Sequence, residues 1–328
     1  ASNGDLSVTA TEGDFTVRES SVLRAGGDFT GRAGADLAFT TGAQADTDGD
    51  LDLDAGNNLT VQDATVSAGG DAALTATDGN LAVTRSSVTA GGFLDGDAGA
   101  AIILTTANLT SGVLGTSPDL TLNAGSVILT NSSRAEATTD ATLDAGSDVR
   151  VSNSALVDAV SGDLEAAAGN GDLSVTSGAT LTAGNDLDLN AKGDMTLSDA
   201  SVRAEGDLAL TATDGDLGMS NASVTAGGAL IGDVGGNATL TRWRLHHGRQ
   251  QRGAQQRRPD PGGRRRCGPV HPARRRRCLR HQRGGRHPGR RSHRRAHPRR
   301  QSVPVRRQEH RLVAQRPENP GQQPLHHP

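Results

Sequence analysis

The chain has 328 residues, and its formal net charge of −3 is the sum of two unlike parts. Residues 1–240 contain 34 acidic and 8 basic side chains, whereas residues 241–328 contain 3 acidic and 26 basic ones. Both cysteines and all 10 histidines lie in the second part, which excludes a disulfide framework and a Ser-His-Asp catalytic set from the first. No stretch approaches the roughly 20 apolar residues of a membrane-spanning helix.

The first part consists of a repeat of about 21 residues. Each unit reads Gly-Asp-Leu-x-Leu-x-Ala, then Gly-Asp/Asn-Leu-x-Val, then Ser-x-Val-x-Ala-Gly. The leading position is assigned to Asp5, Asp28, Asp50, Asp71, Gly92, Asp119, Asp140, Asp163, Asp186, Asp207 and Gly228. A fixed period of this length indicates stacked supersecondary units rather than a compact globule.

Within one unit, apolar residues alternate with polar ones in three short runs. Between Gly49 and Gly69 the apolar positions are Leu51, Leu53, Ala55, Leu59, Val61, Ala64, Val66 and Ala68. This period of two predicts three strands per repeat, and stacking about eleven repeats predicts a parallel β-helix with Leu, Val and Ala inside. The recurrent Gly and Asn are expected at corners that need positive φ. The long interval before Asp119 predicts a loop near residues 107–118.

Five alternating aspartates in one repeat suggest a calcium loop, because hard cations prefer clustered oxygen ligands. They are Asp46, Asp48, Asp50, Asp52 and Asp54. An EF-hand that started at Asp46 would need glutamate at its twelfth position, which is Asn57. The aspartates are therefore interpreted as outward positions of one coil, and no metal site is predicted.

Two carboxylate pairs have the residue type that glycoside hydrolysis uses: Asp163 with Glu165, and Asp214 with Asp216. No Tyr or Trp precedes position 243 to grip a sugar, and the pairs recur with the repeat. They are interpreted as solvated positions, so neither a catalytic nor a cofactor-binding residue is predicted, and the chain is expected not to be an enzyme.

From Arg242 the repeat stops, and the chain becomes rich in Arg, His, Gln and Pro. Shifting plausible codons by one base from this point restores repeat-like sequence, beginning Gly-Gly-Ala-Ser-Ile-Thr-Val. Residues 241–328 are therefore interpreted as a frameshifted tail, which is expected to be disordered. The alternative is a basic module that binds nucleic acid or a membrane surface through charges such as Arg274–Arg277.

Two cysteines and two histidines in this tail have the chemistry of zinc ligands. They are Cys267, Cys278, His271 and His281. Their spacing matches no known zinc site and the surrounding arginines would repel a cation, so neither a metal nor a specific nucleic-acid partner is predicted.

The Gly-Asp-Leu-x-Leu-x-Ala-x-x-Gly-Asp-Leu-x-Val pattern with Ala-Gly-Gly corners resembles the repeat region of filamentous haemagglutinin-type adhesins, over about residues 4–240. The resemblance implies a right-handed parallel β-helix that forms the shaft of an exoprotein. It also implies export by two-partner secretion through an outer-membrane transporter, and a location outside the cell or on its surface.

The resemblance further implies contact with host-cell or bacterial surface glycans or proteins, in attachment or aggregation, and no cofactor. The family's Asn-Pro-Asn-Leu secretion signal is not found in this sequence, so the chain is interpreted as a fragment. Two alternatives stay open: an autotransporter-type passenger that acts on polysaccharides, and the shaft of a contact-dependent toxin.

Overall fold

A computed structural model describes residues 4–112, 119–242 and 244–247, the last three of these by their backbone alone. These residues belong to one compact unit, residues 1–257; a second unit, residues 258–328, lies outside them. Every regular element in the described residues is a β-strand, and the 31 strands, β1 to β31 in chain order, form three faces of a solenoid.

Face A holds the first strand of each coil, and these strands run side by side. They are β1 (Leu6–Ala10), β4 (Phe29–Ala33), β7 (Leu51–Ala55), β10 (Ala72–Ala76), the first half of β13 (Leu94–Thr105), the first half of β15 (Leu120–Thr130), β17 (Ala141–Ala145), β20 (Leu164–Ala168), β23 (Leu187–Ala191), β26 (Leu208–Ala212) and β29 (Leu230–Val234). These strands begin coils 1 to 11.

Face B holds the second strand of each coil. Its strands are β2 (Phe15–Val17), β5 (Leu37–Thr40), β8 (Leu59–Gln62), β11 (Leu81–Thr84), the second halves of β13 and β15, β18 (Val149–Val151), β21 (Leu173–Thr176), β24 (Met195–Ser198), β27 (Leu217–Ser220) and β30 (Ala238–Thr241). β13 and β15 turn from face A to face B without a break, so the two faces count as one 20-stranded sheet.

Face C holds the third strand of each coil and is an eleven-stranded sheet. Its strands are β3 (Val22–Ala25), β6 (Gln44–Thr47), β9 (Thr65–Ala68), β12 (Ser87–Ala90), β14 (Asn108–Thr110), β16 (Arg134–Ala137), β19 (Leu156–Ala159), β22 (Thr180–Ala183), β25 (Ser201–Ala204), β28 (Ser223–Ala226) and β31 (Arg244–His247). Corner AB joins face A to face B, corner BC joins face B to face C, and corner CA leads to the next coil.

All neighbouring strands pair in parallel, and equivalent repeat positions stack. Leu51, for example, pairs with Phe29 of the preceding coil and with Ala72 of the following one. The inward residues form a single aliphatic core in which most side chains are fully buried. The sequence-based prediction of an all-β parallel solenoid is therefore confirmed. Its eleven face C strands match the predicted number of coils.

Three phenylalanines replace aliphatic side chains in the core of the first two coils. Phe39 packs edge-to-face against Phe15 and Phe29, with ring centroids 6.2 and 6.5 Å apart. Gly31 occupies the inward position between Val8 and Leu53, where a Cβ would lie only 3.2 Å from the Phe15 ring. A small residue at this position thus gives the rings their space.

The structure corrects the predicted reason for the recurrent glycines. Gly42, Gly112 and Gly178 are the only glycines with positive φ among the described residues. The other residues with positive φ are not glycines, and they lie at corner BC, as Asp63 and Asn131 do. Where a coil precedes it, the glycine of the Gly-Asp motif is needed because coils stack closely. A Cβ on Gly70, for example, would lie 2.0 Å from Oδ1 of Asp50 in the preceding coil.

The structure also corrects two leading positions and part of the expected loop. The backbone amides of Phe93 and Ala229 donate hydrogen bonds to Oδ1 of Asp71 and of Asp207, respectively. Phe93 and Ala229 therefore occupy the leading position that the sequence analysis assigned to Gly92 and Gly228. The prediction of a loop near residues 107–118 is wrong for the first part of that range, because Ala107 is buried and Asn108–Thr110 form β14. Residues 113–118 lie outside the described residues.

Candidate functional surface

The structure divides the five aspartates of the suggested calcium loop between coils 2 and 3, and so corrects the expectation that they belong to one coil. Asp46 lies on face C with its carboxylate 3.8 Å from Nε of Arg24, and Asp52 lies on face A, 3.2 Å from Nη2 of Arg32. At corner CA, Oδ1 of Asp50 accepts a hydrogen bond from the Asp71 amide at 2.8 Å. In the described residues no group of three or more His, Cys, Asp or Glu side chains could hold a metal ion.

In each of the two suggested carboxylate pairs, one aspartate binds the backbone of the next coil. Oδ1 of Asp163 accepts the amide of Asp186 at 3.0 Å and the side-chain amide of Asn185 at 2.7 Å. At corner AB, Oδ1 of Asp216 accepts the amide of Asn237 at 2.6 Å. These carboxylates therefore serve coil stacking. The four suggested zinc ligands and Arg274–Arg277 lie outside the described residues.

The charges of the solenoid are segregated by face. Through residue 240, faces B and C with corner BC carry six acidic and six basic side chains: Glu19, Asp46, Asp63, Glu136, Asp158 and Asp199 against Arg18, Arg24, Arg85, Arg134, Arg150 and Arg203. The other 28 acidic side chains share face A and corners AB and CA with Arg32 and Lys192. We call these parts the neutral side and the acidic side.

Face B is the least charged surface of the neutral side. Its outward positions hold Thr, Ser, Ala, Ile, Gln and Gly, with Arg150 as the only charged side chain in the described strands: Thr16, Ala38, Thr40, Thr60, Gln62, Ala82, Thr84, Ile103, Thr105, Ile128, Thr130, Arg150, Ser174, Thr176, Thr196, Ser198, Gly218, Ser220, Thr239 and Thr241. The face presents hydroxyl and methyl groups along the whole solenoid.

Corner BC varies in length, and this variation produces a groove. Coils 2 and 6 turn through two left-handed residues each, Thr41 with Gly42 and Asn131 with Ser132, whereas coil 3 turns through Asp63 alone. Coils 4 and 5 have the same short corner as coil 3. The recess between the longer corners has a volume of about 710 Å³ and is lined by Gly42, Ala43, Gln44, Asp63, Ala64, Thr65, Arg85, Ser86, Ser87, Thr106 and Asn108.

An exposed ion pair crosses this groove. Nε and Nη2 of Arg85 donate to the two carboxylate oxygens of Asp63, each at 2.7 Å. The hydrogen bond from Arg85 lowers the pKa of the Asp63 carboxyl, and Asp63 in turn raises the pKa of Arg85. With the hydroxyl and amide groups beside it, the groove can exchange hydrogen bonds with a polar ligand, and its lining residues include no nucleophile paired with a general base.

Sequence reasoning missed both the neutral side and the groove. The sequence alone did not show on which face of the solenoid each charged side chain lies, because that assignment needs the strand register. A signal for the groove was nevertheless present: four residues separate the inward Val61 from the inward Val66, whereas five separate Phe39 from Ala45. Counting residues between inward positions would have revealed the short corners.

Comparison of the chain with protein-family models, curated proteins and solved structures finds no match. In the described residues no helix is long and apolar enough to cross a membrane. Functional inference therefore depends on the solenoid and its surface chemistry.

Proposed function

We propose that this chain is a structural shaft segment of a secreted or cell-surface bacterial adhesin that mediates attachment or aggregation. The observation that supports this best is the use of the repeat motif: its carboxylates hold successive coils together instead of lining a catalytic cleft. A repeat array of this kind grows by adding coils, and each coil contacts only its neighbours. It is therefore suited to span distance and to present long side surfaces.

The proposed route to the surface is two-partner secretion through an outer-membrane transporter. The motif resemblance over residues 4–240 supports this route, as does a composition without cysteine in that range. A solenoid stabilised by backbone hydrogen bonds and an aliphatic core needs no disulfide to persist outside the cell.

The experiment is surface detection in the producing bacterium with antibodies raised against the chain. We expect labelling of intact, unpermeabilised cells or antigen in the medium, and reduced attachment or aggregation after deletion of the coding sequence. Antigen found only after permeabilisation would contradict the proposal. Release of reducing ends from bacterial or host polysaccharides by the purified chain would favour an enzyme instead.

A further inference from the structure

We propose that face B is a self-association surface through which two copies of this chain pack side by side. The inference is drawn from the charge and repeat geometry of the solenoid alone. It can therefore fail while the adhesin proposal stands, and the reverse also holds.

Charge segregation leaves the neutral side open to a second copy, and face B is its least charged surface. Twenty-eight carboxylates on the acidic side would meet if two copies came together there, and repulsion would oppose the contact. Contact through face B leaves face A of each copy on an outer surface, and the carboxylates of corner AB lie at the edge of the contact, where salt screens them over about 8 Å. In the described strands of face B the only charge to bury is that of Arg150.

Face B also has the chemistry and size of a protein interface. Ala38, Ala82, Ile103 and Ile128 stack in one outward column that also includes Thr60, and all five side chains are partly buried within their own chain. Eleven rungs about 4.8 Å apart and strands of about four residues give a face of roughly 50 by 13 Å, or about 650 Å². With corner BC, which belongs to the neutral side, this approaches the area of about 800 Å² per partner in a standard interface.

The repeat selects a second copy over an unrelated partner. Parallel in-register pairing gives face B one constant rung spacing along the solenoid. A second copy has the same spacing, so its hydroxyl and methyl columns can match those of the first at every rung. A surface with another period would match at only a few rungs, and the hydroxyls at the others would lose water without gaining a partner.

Matched charge insertions in the full chain test the proposal. The variant Thr40→Glu/Thr84→Glu adds two carboxylates to face B in coils 2 and 4, and Thr30→Glu/Thr75→Glu adds two to face A in the same coils. All four threonines are partly buried outward residues, so the two variants have the same charge and similar exposure. Circular dichroism spectra and thermal midpoints establish that both fold.

Sedimentation velocity over a concentration series gives the dissociation constant. We expect the unmodified chain to dimerise, the face B variant to bind at least about 10-fold more weakly, and the face A variant to change binding by less than about 2-fold. We also expect dimerisation to persist from about 0.15 M to about 1 M salt, since face B is nearly uncharged. A chain that stays monomeric, or that dissociates in high salt, overturns the proposal.

A third variant separates side-by-side packing from end-to-end stacking. Coil 11 leaves an apolar recess of about 280 Å³, lined in part by Leu210, Leu230 and Leu240, at the end of the described solenoid. Leu240→Glu places a carboxylate in this recess, away from the centre of face B. Unchanged dimerisation in this variant supports the proposal, whereas loss of dimers here but not in the face B variant assigns association to the ends.

Discussion

Asp186 shows at the scale of one residue why the repeat contains an aspartate at its corners. Its Oδ1 accepts the amide hydrogen of Asp207 in the next coil at 2.7 Å, at a corner where strand pairing does not reach that amide. Asn58 makes the same bond to the amide of Asn80 at 2.9 Å. In these coils the bond needs only a short side chain with an acceptor oxygen, and a negative charge is not essential.

We predict that Asp186→Ala destabilises the solenoid by about 1 kcal/mol, because the Asp207 amide loses its acceptor. Amide hydrogen exchange at Asp207 should become about 5-fold faster, which is the same free energy expressed as an opening equilibrium. Asp186→Asn is the control and should keep most of the protection. Equal exchange rates in the two variants would show that the carboxylate does not hold the coils together.

Asp95, unlike Asp186, is a carboxylate whose negative charge is expected to lower the stability of the fold, and this effect depends on pH. It lies on the outer side of β13, where partial shielding from water, and then the charge of Asp97, raise the pKa of its carboxyl above 3.8. The folded state thus binds the proton more tightly than the unfolded state, so this group lowers stability as pH rises from 3.8 through the raised pKa. We predict that Asp95→Asn raises the thermal midpoint at pH 7, and that the gain disappears below pH 3.8.

Asp97→Asn provides the comparison for this prediction. It removes the neighbouring negative charge but leaves the shielding of Asp95, which is the larger cause of the raised pKa. It should therefore give only part of the gain at neutral pH. A midpoint difference for Asp95→Asn that is the same at every pH would rule out an electrostatic origin.

At the scale of one coil, stacking decides which glycines are needed. Gly13 and Gly193 both precede an aspartate at corner AB, but within the described residues only Gly193 has a coil before it. A Cβ on Gly193 would lie 2.3 Å from Oδ1 of Asp172, whereas one on Gly13 would meet nothing within 4 Å. The same motif position is therefore restrictive inside the array and permissive in its first coil.

We predict that Gly193→Ala costs about 1–3 kcal/mol through overpacking, as measured by thermal or urea unfolding. Gly13→Ala, the matched control, should be neutral or slightly stabilising, because alanine restricts the unfolded chain. Adding Asp172→Ala to Gly193→Ala should recover part of the loss and so report the coupling between the two residues. Similar losses for Gly13→Ala and Gly193→Ala would refute the stacking explanation.

The strands were predictable from the sequence because each short run alternates between the core and the solvent. Leu51, Leu53 and Ala55 are buried as predicted, with Asp52 and Asp54 outward. The corners were less predictable, because their residues are chosen for contacts with a coil about 21 residues away. Gly70, for example, looks like a turn residue, but it is a packing residue for Asp50.

For the whole chain, the strand register adds evidence on the break near position 242. β31 pairs with β28 and sets Arg244, Leu245, His246 and His247 opposite Ser223, Val224, Thr225 and Ala226. Earlier coils hold a small residue at the position equivalent to Ala226: Ala25, Thr47, Ala68, Ala90, Ala137, Ala159, Ala183 and Ala204. The sequence thus stops matching face C within the strand itself.

This mismatch sharpens the frameshift hypothesis into a test on DNA. A one-base shift at Arg242 gives Gly-Gly-Ala-Ser-Ile-Thr-Val, in which Ala-Ser-Ile-Thr-Val has the alternation of Ala179-Thr180-Leu181-Thr182-Ala183, the corner and strand of coil 8. We predict that resequencing codons 236–250 from the source genome reveals an inserted or deleted base. The corrected protein should then continue the 21-residue repeat beyond coil 11. An intact frame would instead make the 26 basic residues after position 240 a true part of the protein, and would favour a module that binds nucleic acid or a membrane surface.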